Sequence, residues 1–223
     1  MGRFKGFGTQ ALPFFKALAF HQSREWFQEN RSIYDNEVVE PMAALLEDLT
    51  DRFAAAKVPL RGDAKSIFRI HRDVRFSKDK SPYKTHAGAV MTRRGGKMEP
   101  GLLYIHIAAD GCFLAAGCHM PEPSLLARLR TAIKDKPKGF ESMLATLKKG
   151  KLALGMESQL TRLPRCFEEF KDSPLGEAIR LKSFIVEEPL TEAEIAKPKL
   201  VERVFGFSER AMPLLEFCWA AAD

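Results

Sequence analysis

Little in this sequence identifies a chemistry by motif. Only four of the 223 residues are cysteine, Cys112, Cys118, Cys166 and Cys218, and no two of them form a C-x-x-C pair. A disulfide framework in a chain this large is unusual without a secretory leader, so the four read as reduced thiols, each a small buried hydrophobe. Cys112 and Cys118 fall in one candidate strand, about 20 Å apart at roughly 3.3 Å per residue, too far for a disulfide. H-E-x-x-H, Cys/His clusters at zinc spacing, G-x-S-x-G, the P-loop and G-x-G-x-x-G are all missing, so no metal site is expected and no cofactor is indicated. His86, His106 and His119 could converge on a metal only through tertiary structure. No apolar run approaches the roughly 20 residues of a membrane span, so no membrane insertion is expected. The opening Met1-Gly-Arg-Phe-Lys-Gly-Phe-Gly has no long apolar stretch before a small-residue cleavage site, and a cytoplasmic location is expected. Met1-Gly2 is not followed by the Ser or Thr that an acylation signal prefers. Internal repeats and low-complexity segments are also lacking.

What is present is the composition of an ordinary folded protein. Apolar residues make up 45% and charged residues 29%, enough to build one core and expect a single domain over 1–223. The net charge of +6 permits anionic partners without choosing among them. Its distribution is uneven. Between Lys65 and Thr85 seven cations stand against two acids, so +5 of the charge falls in about a tenth of the chain.

Hydrophobic spacing divides the chain into a helical part over about 10–57, a sheet over about 65–119 and a second helical part over about 122–221. Leu12 to Phe20 has helical spacing. Ser23 is a candidate N-cap for a helix containing Trp26, Phe27, Ile33 and Tyr34, and helix continues through Met42, Leu45, Leu46 and Leu49 with Pro41 at a start or kink. From Ile67 the period becomes two, predicting a strand with Phe68 and Ile70 on one face and Arg69 and His71 on the other, continuing through Asp73 and Arg75. Ser77–Tyr83 reads as a loop, and His86–Met91 as the next strand. Leu102–Ala108 and Cys112–His119 flank Asp110-Gly111, the preferred centre of a two-residue hairpin turn. That register puts Leu103, Ile105, Ile107, Cys112, Leu114, Ala116 and Cys118 on a core face. Tyr104, His106, Phe113, Ala115, Gly117 and His119 take the other, where small residues leave room for a ligand or a closely packed helix. Afterwards come a helix through Leu125, Leu129 and Ile133, a short one from Ser173-Pro174 to Leu181, a capping box at Thr191-x-x-Glu194, and a last helix from Pro198 that Pro213 kinks or divides. The order predicts an α+β fold: an antiparallel meander with helices before and after it packed on the sheet.

The long segment Phe68-Arg-Ile-His-Arg72-Asp73-Val-Arg75-Phe76-Ser-Lys78-Asp79-Lys80-Ser-Pro82-Tyr83-Lys84-Thr85 resembles the central signature of domain-of-unknown-function family 2461, a bacterial and fungal family. Gln22-Ser-Arg-Glu-Trp26-Phe27 is similar to its opening helix. Tyr104-Ile-His106-Ile, Phe113-Leu-Ala-Ala-Gly117, Met120-Pro-Glu-Pro123, Leu163-Pro-Arg165 and Lys182-Ser-Phe184 match further landmarks. The resemblance implies one α+β domain and brings no reaction with it.

Physical chemistry suggests what the segment can do. A carboxylate such as Asp73 can orient guanidinium groups by bidentate bonds and leave other donors for a phosphate or carboxylate. Arg69, Arg72, Arg75 and Lys84, with Tyr83 and Tyr104, are therefore candidate ligand-binding residues for a small anion. The same residues also suit an ion-pair network that pins the Ser77–Tyr83 loop. His86, His106 and Asp73 are the candidate acid or base groups. Two other functions remain open: nucleic-acid binding through the basic segment with Phe76 and Tyr83 interleaved and Arg93, Arg94 and Lys97 nearby, and a non-catalytic module docking an acidic partner.

Overall fold

Residues 3–156 and 158–223 are described by a computed structural model. Met1 and Gly2, where an acylation signal would sit, lie outside them. They form two compact units. The first comprises residues up to 99, with 103–114 and 189–206; the second comprises 100–102, 115–188 and 207–223.

In the first unit, helix α1 (Ala11–Phe20) buries Ala11, Phe14, Phe15 and Leu18 at helical spacing. The Ser23 hydroxyl accepts from the Trp26 amide at 3.2 Å and starts helix α2 (Arg24–Glu29), as its sequence position predicts. The single helix expected through Tyr34 is interrupted at Asn30. A four-residue helix α3 (Arg31–Tyr34) and a π-helical turn (Asp35–Val39) then lead into α4 (Glu40–Ala55), with Pro41 in its first turn. The break lets Phe14, Phe27 and Tyr34 meet as a ring cluster with centroids 5.6–6.3 Å apart. Helix α4 buries Met42, Leu45, Leu46, Leu49 and Phe53, and the Phe53 ring meets Phe205 at 5.6 Å.

Strands β1 (His86–Met91), β2 (Leu102–Ala108), β3 (Cys112–Cys118) and β4 (Phe184–Leu190) form one antiparallel sheet in the order β1-β2-β3-β4. The α+β fold with helices before and after an antiparallel sheet is as expected, with the unexpected strand β4 in it. β4 arises inside the part read as helical. Its burial follows period two at Phe184, Val186 and Leu190, and Pro189 is tolerated because β4 is an edge strand. Two further expectations are corrected. Residues 67–75 form no strand: only Ile67 and His71 make isolated bridges, to Ala89 and Tyr83, and the other contacts are single bonds such as Phe68 N–H to the Gly88 carbonyl. The hairpin turn closes from Gly111 N–H to the Ala108 carbonyl, so Ala109 and Asp110, not Asp110 and Gly111, are central. The two faces of the hairpin are unaffected. Leu103, Ile105, Ile107, Cys112, Leu114, Ala116 and Cys118 are buried, while Phe113 lies with Tyr104 and His106.

In the second unit, helices α5 (Pro123–Asp135), α6 (Pro137–Lys149) and α7 (Pro174–Arg180) surround a core that includes Leu129, Ile133, Phe140, Leu147 and Ile179. Helix α6 had no separate sequence expectation. The buried Arg130 guanidinium donates to the Ile179 and Leu181 carbonyls at 2.8 and 3.0 Å, tying α5 to the end of α7. Gly117 has φ +128°, and a Cβ there would stand 2.0 Å from the Phe184 carbonyl oxygen, so close β3–β4 approach requires glycine. The Thr191–Glu194 capping box forms and opens helix α8 (Glu192–Ile195) in the first unit. The last helix, α9 (Leu200–Ala222), runs through Pro213 undivided. Cys112, Cys118 and Cys218 are buried free thiols, whereas Cys166 is exposed on a loop, against the expectation that all four are buried. Among the described residues no helix is long and apolar enough to cross a membrane.

Candidate functional site

The opening helices and the basic segment meet at Tyr83. Its ring stacks on Phe27 at 4.5 Å and lies 5.2 Å from His71, and its amide donates to Gln22 Oε1 at 3.0 Å. Gln22 Nε2 donates in turn to the Leu18 carbonyl, so the side chain is fixed at both ends. Tyr83 is therefore largely a packing residue, 4% exposed, that holds the segment against the helices. The Lys84 amide then bonds the Ile70 carbonyl, and the Arg72 amide bonds the Pro82 carbonyl, closing residues 73–81 into a lobe.

Inside that lobe the charges compensate one another. Asp73 grips Arg75 at 2.7 and 2.9 Å, and these bonds hold the Asp73 carboxyl below the usual range. Asp79 accepts from the Ser81 amide and from Arg72, which lower its carboxyl further. Lys80 Nζ donates to the Val74 carbonyl at 2.9 Å. Arg72 and Arg75 thus each carry a carboxylate partner, and Phe76 stands 95% exposed at the tip of the lobe.

Outside it, charge accumulates uncompensated. Lys84 is half-buried, and its ammonium has neither a hydrogen bond nor an ion pair among the described residues. Its ammonium lies 5.6 Å from the Phe68 ring centroid; Lys97 Nζ lies 5.5 Å from the same ring and donates to the Ile67 carbonyl. Burial lowers the Lys84 pKa, and the positive charges of Arg69 and Lys97 lower it further. Arg69 is exposed and likewise lacks a hydrogen bond or ion pair among the described residues. Sequence alone gave no reason to join Lys97 to Lys84, because strand β1 and the Gly95-Gly96 turn separate them.

Register brings the imidazoles together. Gly88 pairs with His106 and His86 with Ala108, so His86 and His106 are diagonal neighbours with ring centroids 4.6 Å apart. His106 stacks on Phe113 of β3 at 4.4 Å, and its Nδ1 is 2.9 Å from the Tyr104 hydroxyl. Glycine at 88 is what admits Tyr104: a Cβ there would lie 2.5 Å from the tyrosine hydroxyl. Burial, then His86, pushes the His106 pKa down to about 4, with Asp110 opposing. Burial and Lys84 lower His86, again against Asp110, and burial pushes Tyr104 up to about 12. At neutral pH both imidazoles and the phenol are uncharged, able to accept or donate a proton beside a cation.

A depression of about 400 Å³ within the first unit is lined by Gln22, Arg72, Asp79, Lys84, Thr85 and His86 among others. It is in the range of small-ligand sites. A larger one of about 640 Å³ near Glu194 and Arg203 has both of its lining carboxylates in ion pairs, Glu194 with Arg203 at 3.0 Å and Glu202 with Arg52 at 2.9 Å. Of the sequence candidates, Arg72, Tyr83, Lys84 and His86 line the smaller depression. His106 adjoins His86 and Tyr104 adjoins His106, Arg69 influences Lys84 and Asp73, and Arg75 and Asp73 pair within the lobe. His119 is exposed beyond β3. No three His, Cys, Asp or Glu side chains among the described residues are grouped to hold a metal ion.

The sequence profile of the conserved hypothetical protein family DUF2461 matches residues 10–217. The chain belongs to that family. The depression and the ring-bearing strands of this DUF2461 protein both fall inside the matched span. No curated protein and no solved structure matches the chain.

Proposed function

We propose that this DUF2461 protein binds a small phosphate- or carboxylate-bearing anion in the depression beside Lys84. The observation that carries the reading is the Lys84 ammonium itself, half-buried, without an acidic partner among the described residues, and crowded by Arg69 and Lys97. An anion there relieves the repulsion and gains charge-assisted hydrogen bonds. Arg72 supports it from the rim, with one guanidinium nitrogen on Asp79 and other donors remaining. The neutral imidazoles of His86 and His106 next to the cation suit proton transfer, so the same site can serve an enzyme. Thermal melting with inorganic phosphate, pyrophosphate and small carboxylates at constant ionic strength tests this. Stabilisation of the wild type that is lost in Lys84→Met supports it, and a response kept by that variant refutes it.

Single-stranded nucleic acid is the second reading, favoured by Phe76, a fully presented aromatic beside the Arg75 guanidinium and followed in sequence by Lys78 and Lys80. Its mark is an affinity that falls steeply with salt and depends on Phe76; salt-insensitive or absent binding excludes it. The reducing cytoplasm is the compartment that both readings assume.

A further inference from the structure

His86 belongs to two features at once. It lines the depression that holds Lys84 and Arg72, and it begins a row of rings that crosses three adjacent strands: His86 on β1, His106 on β2, Phe113 on β3. Successive centroids are 4.6 and 4.4 Å apart with interplanar angles of 33° and 20°, the spacing of offset stacks. Tyr104 and Phe68 flank the row at 5.9 Å from Phe113 and 6.4 Å from Tyr104, respectively. All five rings are half-buried, unlike the opposite face of β1 and β2, where Ala89, Met91, Leu103, Ile105 and Ile107 are fully covered. A half-buried aromatic surface beside Lys84 and Arg72, where the nearby carboxylate Asp79 is already bonded to Arg72, matches a ligand with both a π face and a negative charge.

We propose that the anion is carried on a planar aromatic group, which stacks on His86 as a further ring of the His86–His106–Phe113 row while its phosphate or carboxylate meets Lys84 and Arg72. This rests on the anion reading above and adds the ligand's class to it. His106 is a positioning residue here. Stacked between His86 and Phe113 and bonded to Tyr104, it holds the His86 ring upright.

The test compares matched ligands by calorimetry at constant ionic strength: inorganic phosphate, phenyl phosphate and cyclohexyl phosphate, then benzoate and cyclohexanecarboxylate. The aromatic member of a pair should bind about three- to tenfold tighter than its saturated partner. The gain should survive in His86→Phe, which keeps a ring, and vanish in His86→Leu. In the wild type, the imidazole C–H signals of His86 should move with the ring current of phenyl phosphate and not with cyclohexyl phosphate, a readout that needs no variant. Equal affinity within both pairs overturns the aromatic inference and leaves the anion reading standing. An aromatic preference kept in His86→Leu, or an unmoved His86 signal, also overturns it. Failure of every ligand, inorganic phosphate included, overturns both.

Discussion

Replacing Lys84 by methionine separates a binding residue from a structural one, because the two roles predict opposite changes in stability. In the folded chain the ammonium is half-buried and repelled by Arg69 and Lys97, so its proton affinity is lowered. A lysine whose folded pKa lies below its unfolded value near 10.4 costs stability at every pH where it is charged in both states. That cost disappears only as the pH rises through the folded pKa. Methionine removes the charge, and its thioether contact with Phe68, worth about 0.3–1.5 kcal/mol, roughly offsets the lost cation–π attraction of about 0.5–1 kcal/mol. Water reaches the side chain and screens the repulsion, so the net gain is about 0.5 kcal/mol, a rise of about 1–2 °C in Tm for a chain of this size. Phosphate reverses the order. At ten times its Kd the wild type gains about 1.4 kcal/mol, about 3–6 °C, and the variant nothing. Calorimetric melting with and without phosphate reads both effects, and the two proteins should exchange rank. A Lys84→Met protein destabilised by more than about 1 kcal/mol, or one that still responds to phosphate, refutes the argument and makes Lys84 part of the scaffold.

Acidification provides a second test: His106 is held near pKa 4 in the folded chain against about 6.5 unfolded, so the unfolded state takes up the proton first and stability falls between pH 6.5 and 4. With water at the ring edge, the loss should be about 1–2 kcal/mol, and His106→Phe should remove it; urea midpoints at pH 7, 5 and 4 that differ by a constant between the two proteins would contradict it. Gly88→Ala should cost about 1–3 kcal/mol by driving Tyr104 from its place, and opening His106 to water should raise its titration midpoint by NMR. Arg75→Ala, in contrast, breaks an exposed pair with Asp73 and an exposed contact with Phe76, and should leave both the urea midpoint and the phosphate response nearly unchanged.

Sequence by itself determined the parts of this protein that rest on local rules. Period two in Leu102–Ala108 and Cys112–Cys118 dictated which side chains face the core, because alternate residues on a strand must point to opposite faces. Ser23, Ser173 and the Thr191–Glu194 pair marked their helix starts, since each supplies an acceptor for an amide that the helix leaves unpaired. The same period-two signal was present at Phe184–Leu190, and the helical starts on either side obscured it. Only the tertiary structure decided how the basic segment is used. Alternation in residues 67–75 predicts a strand, yet β1 and residues 82–84 take its backbone bonds singly, and among the described residues no continuous partner edge completes a ladder. Its arginines looked equivalent, but Asp73 and Asp79 lie close enough to occupy Arg75 and Arg72, whereas Lys84 is left to Arg69 and Lys97. His86 and His106, twenty residues apart, became neighbours through the β1–β2 register, and Phe113 joined them from β3. Charge and aromatic content are properties of the chain; whether a cation is neutralised, and which ring it stands beside, depends on distances that only folding sets.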